Sequence, residues 1–120
     1  MHYAIIVYET PAEIAAREDP ARQGTYWAAY TAYARALAEA GVSVGGAGLL
    51  PPAAATTVRL RGGQRQVQDG PFADTRELLG GFFLVNVPDL DAALAWAARC
   101  PSASTGSVEV RPMLPPPPSA

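Results

Sequence analysis

Hydrophobic and polar residues follow a strand-like pattern in some segments of this chain and a helix-like pattern in others. Residues 3–8 carry large side chains at both odd and even positions, which predicts a strand buried on both faces. A helix is predicted next, because Asp19 and Pro20 are typical of a helix start and Gly41 of a helix end. Four large residues of this helix recur at helical spacing and are expected to face the sheet: Tyr26, Tyr30, Tyr33 and Leu37.

The rest of the pattern predicts a hairpin, a second helix and three more strands. The strand segments are residues 42–50, 80–87 and 108–112. Residues 56–61 and 64–68 flank Gly62 and Gly63, and two glycines between strand segments are typical of a tight hairpin turn. The second helix is predicted to begin after the N-cap residue Asp89. Its expected buried residues are Leu90, Ala93, Leu94 and Ala97.

The order of these elements predicts a fold class. Strand, helix, strand, hairpin, strand, helix and strand make a split βαβ arrangement with an inserted β-hairpin, which is an α+β fold of the ferredoxin-like type. Two helices are expected to cover one face of the sheet. The opposite face is too apolar to be left in water, so we expect it to be an interface.

The length of the chain predicts one domain and a short tail. At 120 residues there is enough chain for one core, and the domain is predicted to span residues 1–112. Residues 113–120 contain four consecutive prolines and are predicted to form an extended, disordered tail. Binding of this tail by a proline-recognising module is the other interpretation.

The composition excludes several kinds of chemistry and of partner. The chain has no lysine, one histidine (His2) and one cysteine (Cys100), which excludes lysine Schiff bases, disulfides and Cys/His zinc sites. We expect no metal and no cofactor, and Cys100 is expected to be a buried structural thiol.

The net charge of -2 and the scattered arginines argue against nucleic acid as a partner. No apolar run approaches the roughly 20 residues that span a membrane. The strand-like N-terminus differs from a signal peptide, so we expect a cytoplasmic protein.

Two carboxylates near a Gly-Pro turn are the first candidates for chemistry. Asp69 either fixes this turn while Phe72 fills the core, or it points into a cleft as a general base. Asp74 either caps a short helical turn with Glu77, or it joins the guanidinium of Arg76 over a ligand. The sequence leaves both pairs of alternatives open.

The tyrosines of the long helix are the second group of candidates. Tyr26, Tyr30 and Tyr33 are typical core residues, and their alternative role is to donate hydrogen bonds to an anionic or enolate-like ligand between helix and sheet. Tyr8 and Glu9 end the first strand and are expected close to such a cleft. His2 lies at the start of the chain and is interpreted as an incidental strand residue.

Residues 67–83 combine both carboxylates, the Gly-Pro turn and the aromatic pair Phe82 and Phe83, and this segment resembles the signature of the DGPF branch of the YCII-related family. The resemblance extends over residues 2–112. It implies a ferredoxin-like subunit that dimerises through its sheet, a dimeric α+β barrel. More distant relatives use a His-Asp pair for acid-base work, whereas this chain has Tyr30 about where relatives in the branch often carry histidine.

We therefore expect a small cytoplasmic YCII-related homodimer with a small-molecule cleft in each subunit. Cofactor-free acid-base chemistry of the isomerase or lyase type fits the candidates best, with Asp69 as the base and Tyr30 as the donor. The residues expected to bind the ligand are Tyr8, Phe72, Asp74 and Arg76. The alternative is a non-catalytic binding or regulatory module, because the resemblance implies an association with extracytoplasmic-function sigma factors.

Overall fold

The computed structural model describes residues 1–117. The strands within this range are β1 (His2–Glu9), β2 (Ser43–Gly48), β3 (Thr56–Arg61), β4 (Gln64–Asp69), β5 (Leu78–Asn86) and β6 (Ser107–Pro112). The helices are α1 (Pro11–Ala16), α2 (Gln23–Glu39) and α3 (Leu90–Ala98), and short 3-10 turns lie at Pro52–Ala54 and Pro101–Ala103.

The main sheet has the strand order β2-β5-β1-β6, and all three neighbouring pairs are antiparallel. Strands β3 and β4 form a separate two-stranded sheet between β2 and β5 in the chain. This topology confirms the prediction of a ferredoxin-like α+β fold with an inserted hairpin. At the hairpin turn Gly62 and Gly63 both have positive φ angles, 57° and 76°, which a primed turn requires.

The core lies between the helices and one face of the main sheet. The odd-numbered side chains of β1 (Tyr3, Ile5 and Val7) are buried there together with Tyr33 and Leu37 of α2. The edge of Tyr33 also meets the ring of Phe83, with centroids 5.0 Å apart. The predicted stripe of α2 therefore faces the sheet, and Cys100 is buried in the same core, as predicted.

The predicted helix start at Asp19 and Pro20 is wrong. The Asp19 carboxylate accepts a hydrogen bond from the Ala21 amide at 2.9 Å and pairs with Arg22 at 2.8 Å, so this segment forms a turn and α2 begins three residues later. The sequence interpretation also missed α1. A Thr10-to-Glu13 capping box with Pro11 at the first helical position begins that helix, and this motif is visible in the sequence.

Two of the alternatives left open for the segment after the hairpin are excluded, and the expected buried residues of α3 are partly wrong. No helix begins at Asp74 in the described structure, so the capping role of this residue is excluded. Phe72 is 77% exposed and does not fill the core, while the Arg59 guanidinium lies 5.4 Å from its ring centroid. Leu90 and Leu94 are each 47% exposed, because the small residues of α3, Ala93 and Ala97, are the ones that face the sheet.

The opposite face of the sheet carries the even-numbered residues of β1. Ala4 and Ile6 lie there beside Phe82 and Leu84 of β5, and all four are partly exposed. No helix in the described range has the length and apolar character needed to cross a membrane. Residues 113–117 follow β6 without helix or strand, and residues 118–120 of the predicted tail lie outside the described residues.

Candidate functional site

A cleft of about 450 Å³ lies between α2 and the β2–β5 end of the main sheet, on the helix-covered side. We call it the tyrosine cleft. Its lining includes the aromatic residues Tyr26, Trp27, Tyr30 and Phe83, the glycines Gly45, Gly46, Gly48, Gly80 and Gly81, and the charged residues Glu9 and Arg17. Its volume lies within the roughly 300–1,000 Å³ of typical small-molecule sites.

A buried charge pair forms the inner end of the tyrosine cleft. Glu9 continues the odd-numbered face of β1, is 1% exposed, and receives a hydrogen bond from Arg17 Nη2 at 2.5 Å. The Tyr26 hydroxyl donates to the other Glu9 oxygen at 2.5 Å and accepts from Arg17 Nε at 3.0 Å. Arg17 also donates to the carbonyls of Leu49 and, at 2.8 Å, Gly80. Four of the five N–H groups of Arg17 are thus engaged, and both charges are neutralised within the protein.

The pair is accommodated by a β-bulge in β5. Val7 pairs with Gly81 and Tyr8 pairs with Leu79, so Gly80 is the extra residue between them. A Cβ atom at Gly80 would overlap the Glu9 carboxylate and lie 2.7 Å from Arg17 Nη2. The missing side chain at position 80 therefore provides the space for the ion pair.

Tyr30 presents a hydroxyl of a different kind. Its oxygen is buried and has no hydrogen-bond partner among the described residues. It lies near Cys100 and Ser102 without a hydrogen bond of ordinary geometry to either. Burial and then the nearby Glu9 charge raise the pKa of Tyr30 above its usual range, so the hydroxyl is protonated at neutral pH. The hydroxyl proton of Tyr30 is thus not engaged by an acceptor of ordinary geometry among the described residues.

The six residues predicted from the sequence are distributed over different parts of the structure. Tyr30 lines the tyrosine cleft. Tyr8 and Phe72 line a second cleft of about 710 Å³ at the base of the hairpin, and Tyr8 and Arg76 line a third of about 680 Å³. Asp69 and Asp74 are exposed and line none of these three clefts.

Asp69 ends β4 opposite Thr56 in the hairpin ladder. The Gly70 amide after it donates to the Ala55 carbonyl at 2.7 Å, and the Thr57 hydroxyl donates to the Gly70 carbonyl at 2.8 Å. These bonds fix the turn through the backbone of Gly70. The structure therefore does not bring Asp69 and Tyr30 into one cleft, and their catalytic roles stay predictions.

Sequence reasoning placed Glu9 near a cleft but missed Arg17. The signal for the pair was available in the period of β1. Because Tyr3, Ile5 and Val7 point into the core, Glu9 must do so as well, and a buried carboxylate requires a cationic partner. The partner could not be identified from the sequence, because Arg17 is the C-cap of α1, the helix that the interpretation missed. Within residues 1–117, no three His, Cys, Asp or Glu side chains converge in a way that could hold a metal ion.

Comparisons with known proteins agree with this topology. An uncharacterized protein of Rhizobium meliloti (strain 1021) is 46% identical over 85 residues, which cover 69% of this chain and 68% of that protein. The solved structure of 5-chloro-2-hydroxyhydroquinone dehydrochlorinase (TftG) from Burkholderia phenoliruptrix AC1100, in complex with 2,5-dihydroxybenzoquinone, superposes with a TM-score of 0.54. It is 15% identical, and the alignment covers 95% of this chain and 94% of that chain, so the likeness concerns the fold. The model of the YCII-related domain matches residues 1–116, and the chain therefore belongs to the YCII-related domain family.

Proposed function

We propose that this protein binds a small organic molecule in the tyrosine cleft and promotes a cofactor-free proton transfer on it, with Tyr30 donating a hydrogen bond to an oxygen atom of that molecule. The observation that carries the proposal is the buried Tyr30 hydroxyl without a partner. An unsatisfied buried hydroxyl costs roughly 1–3 kcal/mol, and a ligand oxygen that accepts its hydrogen bond removes this cost.

A donor of this kind stabilises negative charge that develops on a carbonyl or enolate oxygen. Tyr30 is suited to this role because its hydroxyl is a neutral donor without a hydrogen-bond partner among the described residues. The structural neighbour supports the proposal at the level of substrate size, since that protein is named as a dehydrochlorinase and was solved with a dihydroxybenzoquinone. For carbonyl compounds, elimination and isomerisation through an enolate begin with removal of a proton from the carbon next to the carbonyl group.

Proton removal also requires a base within hydrogen-bond reach of the ligand. Asp69 is the predicted base, but it does not line the tyrosine cleft. Glu9 does line the cleft, and both of its oxygens are engaged by Arg17 and Tyr26. The variants Asp69→Asn and Glu9→Gln distinguish these carboxylates, because the variant that keeps ligand affinity but loses turnover has lost the base.

The binding step is tested with Tyr30→Phe. Small phenols, quinones and aryl ketones are screened by thermal shift and by Trp27 fluorescence, since Trp27 lines the cleft and is 45% exposed. Loss of one hydrogen bond to a bound ligand is expected to weaken affinity about 5- to 10-fold. Tyr33→Phe is the matched control, because the Tyr33 hydroxyl donates to the Trp96 carbonyl at 2.8 Å and is absent from the cleft lining. Equal affinity of Tyr30→Phe and wild type would overturn the proposal.

A non-catalytic binding or regulatory module is the second candidate function. It is supported by the engagement of both Glu9 oxygens, which leaves the tyrosine cleft without a free carboxylate among its lining residues. On this alternative, a bound ligand is recovered unchanged after prolonged incubation with wild-type protein. Ligand binding would then change the affinity for an extracytoplasmic-function sigma factor partner.

A further inference from the structure

We infer that the ligand of the tyrosine cleft is an uncharged, flat ring compound with one oxygen atom that accepts a hydrogen bond from Tyr30. This inference rests on the proposed function and adds a substrate class to it. It excludes carboxylates and phosphates of similar size.

The first argument concerns charge. Arg17 is the cation that lines the cleft, and it is already paired with Glu9 at 2.5 Å and bonded to two backbone carbonyls. An anionic ligand would lose its hydration and find no free cation in return, which is unfavourable in a partly buried site. A neutral oxygen acceptor needs a single neutral donor, and Tyr30 supplies it.

The second argument concerns the shape of the cleft floor. Glycine is required at positions 46 and 81 because β2 and β5 approach closely there. A Cβ atom would lie 2.6 Å from a backbone oxygen at Gly46 and 2.7 Å from one at Gly81. Gly80 is explained by the ion pair. Gly48 is different, because a Cβ there would meet no atom within 4 Å and its φ is not positive. The fold tolerates a side chain at position 48, and its absence leaves a flat, open floor.

The third argument concerns the walls. The ring of Tyr30 is parallel to that of Phe83 within 5°, with centroids 6.5 Å apart, and the rings of Tyr26 and Trp27 meet edge to face at 4.8 Å. Aromatic walls above a floor of backbone favour a planar ring, which can stack on them without meeting side chains from below.

The test compares matched compounds on wild type and four variants by titration in nuclear magnetic resonance spectra. The compounds are acetophenone, benzoate and cyclohexyl methyl ketone, together with the two-ring pair 2-acetylnaphthalene and 2-naphthoate. The variants are Tyr30→Phe, Gly48→Val and the control Gly24→Ala, which adds a methyl in open space on α2 outside the cleft lining. Gly48→Ala provides a smaller change at the same position.

We expect the aryl ketones to bind wild type at least about tenfold more tightly than the carboxylates and the saturated ketone. Tyr30→Phe and Gly48→Val should each weaken this binding, and Gly24→Ala should not. Gly48 also borders the hairpin-base cleft, so the response to Tyr30→Phe identifies which cleft is occupied.

Each contrary result has its own meaning. Tighter binding of the carboxylates that depends on Tyr30 would overturn the inference about charge and leave the proposed function standing. Unchanged ring binding in both Gly48 variants would overturn the inference about shape. Failure of every compound to bind, or binding that ignores Tyr30→Phe, would overturn both the inference and the proposed function.

Discussion

Gly80 lies directly against the carboxylate of Glu9. This carboxylate occupies the space in which any other residue at position 80 would place its Cβ atom. The bulge in β5 and the charge at the end of β1 are therefore one structural unit, completed by Arg17. A bulge next to a cleft lined with buried polar groups is a common feature of binding sites.

Replacing Gly80 with alanine should lower the free energy of unfolding by about 2–4 kcal/mol. The added methyl group overlaps the Glu9 carboxylate, and both overpacking and disruption of a buried ion pair are costly. Urea denaturation of Gly80→Ala measures this change. Gly24→Ala is the control, and there a methyl in open space on a helix should leave stability unchanged or raise it by about 0.5 kcal/mol. Equal stabilities of the two variants would contradict the packing argument.

Two tyrosine-to-phenylalanine changes on α2 should have opposite effects on stability. Tyr30→Phe removes a buried hydroxyl without a partner and should raise the free energy of unfolding by up to about 1 kcal/mol. Tyr33→Phe removes a hydrogen bond to the Trp96 carbonyl and should lower it by about 1 kcal/mol. Chemical denaturation without ligand measures both. A loss of stability in Tyr30→Phe equal to that in Tyr33→Phe would mean that Tyr30 has a structural partner.

Alkaline pH should destabilise the protein, beginning with Cys100. Burial raises the pKa of the Cys100 thiol above its usual 9.0, and burial raises the pKa values of Tyr30 and Tyr33 above 10.0. The unfolded chain loses these protons at lower pH than the folded protein, so the folded state holds more protons above about pH 9 and stability falls as pH rises further.

Cys100→Ala separates the thiol from the tyrosines. The variant should be about 1 kcal/mol less stable than wild type near neutral pH, because it leaves a small void in the core. Between about pH 8.5 and 10 its stability should then fall less steeply than that of wild type. Parallel curves for the two proteins over this range would show that the thiol does not contribute.

The open face of the main sheet should form a homodimer interface of at least about 1,200 Å² in total. Ile6 lies on this face, half-buried, opposite the helices. Sedimentation at micromolar concentration should give a dimer for wild type and a monomer for Ile6→Glu. Leu90→Glu changes an exposed leucine at the start of α3 and should remain dimeric. A wild-type monomer would overturn the dimer proposal.

Features that depend on local backbone sterics and short-range hydrogen bonds could be predicted from the sequence. The hairpin turn at Gly62 and Gly63 needs positive φ angles that glycine adopts freely, and the helix end at Gly41, with φ at 72°, depends on the same property. Asp89 caps α3 by accepting a hydrogen bond from the Ala92 amide, three residues away. Together with the apolar periods, these signals were sufficient for the order of elements in the ferredoxin-like fold.

The set of side chains that meet in the tyrosine cleft depends on the packing of distant segments and could not be predicted from the sequence. Arg17 contacts the carbonyls of Leu49 and Gly80, which lie far away in the chain, and no sequence period specifies those contacts. The exposure of Phe72 and the burial of the Tyr30 hydroxyl likewise depend on how the hairpin and α2 are positioned against the sheet. A residue's type limits the partners it can accept, but packing of distant segments selects among them, because burial and desolvation depend on every element that surrounds the side chain.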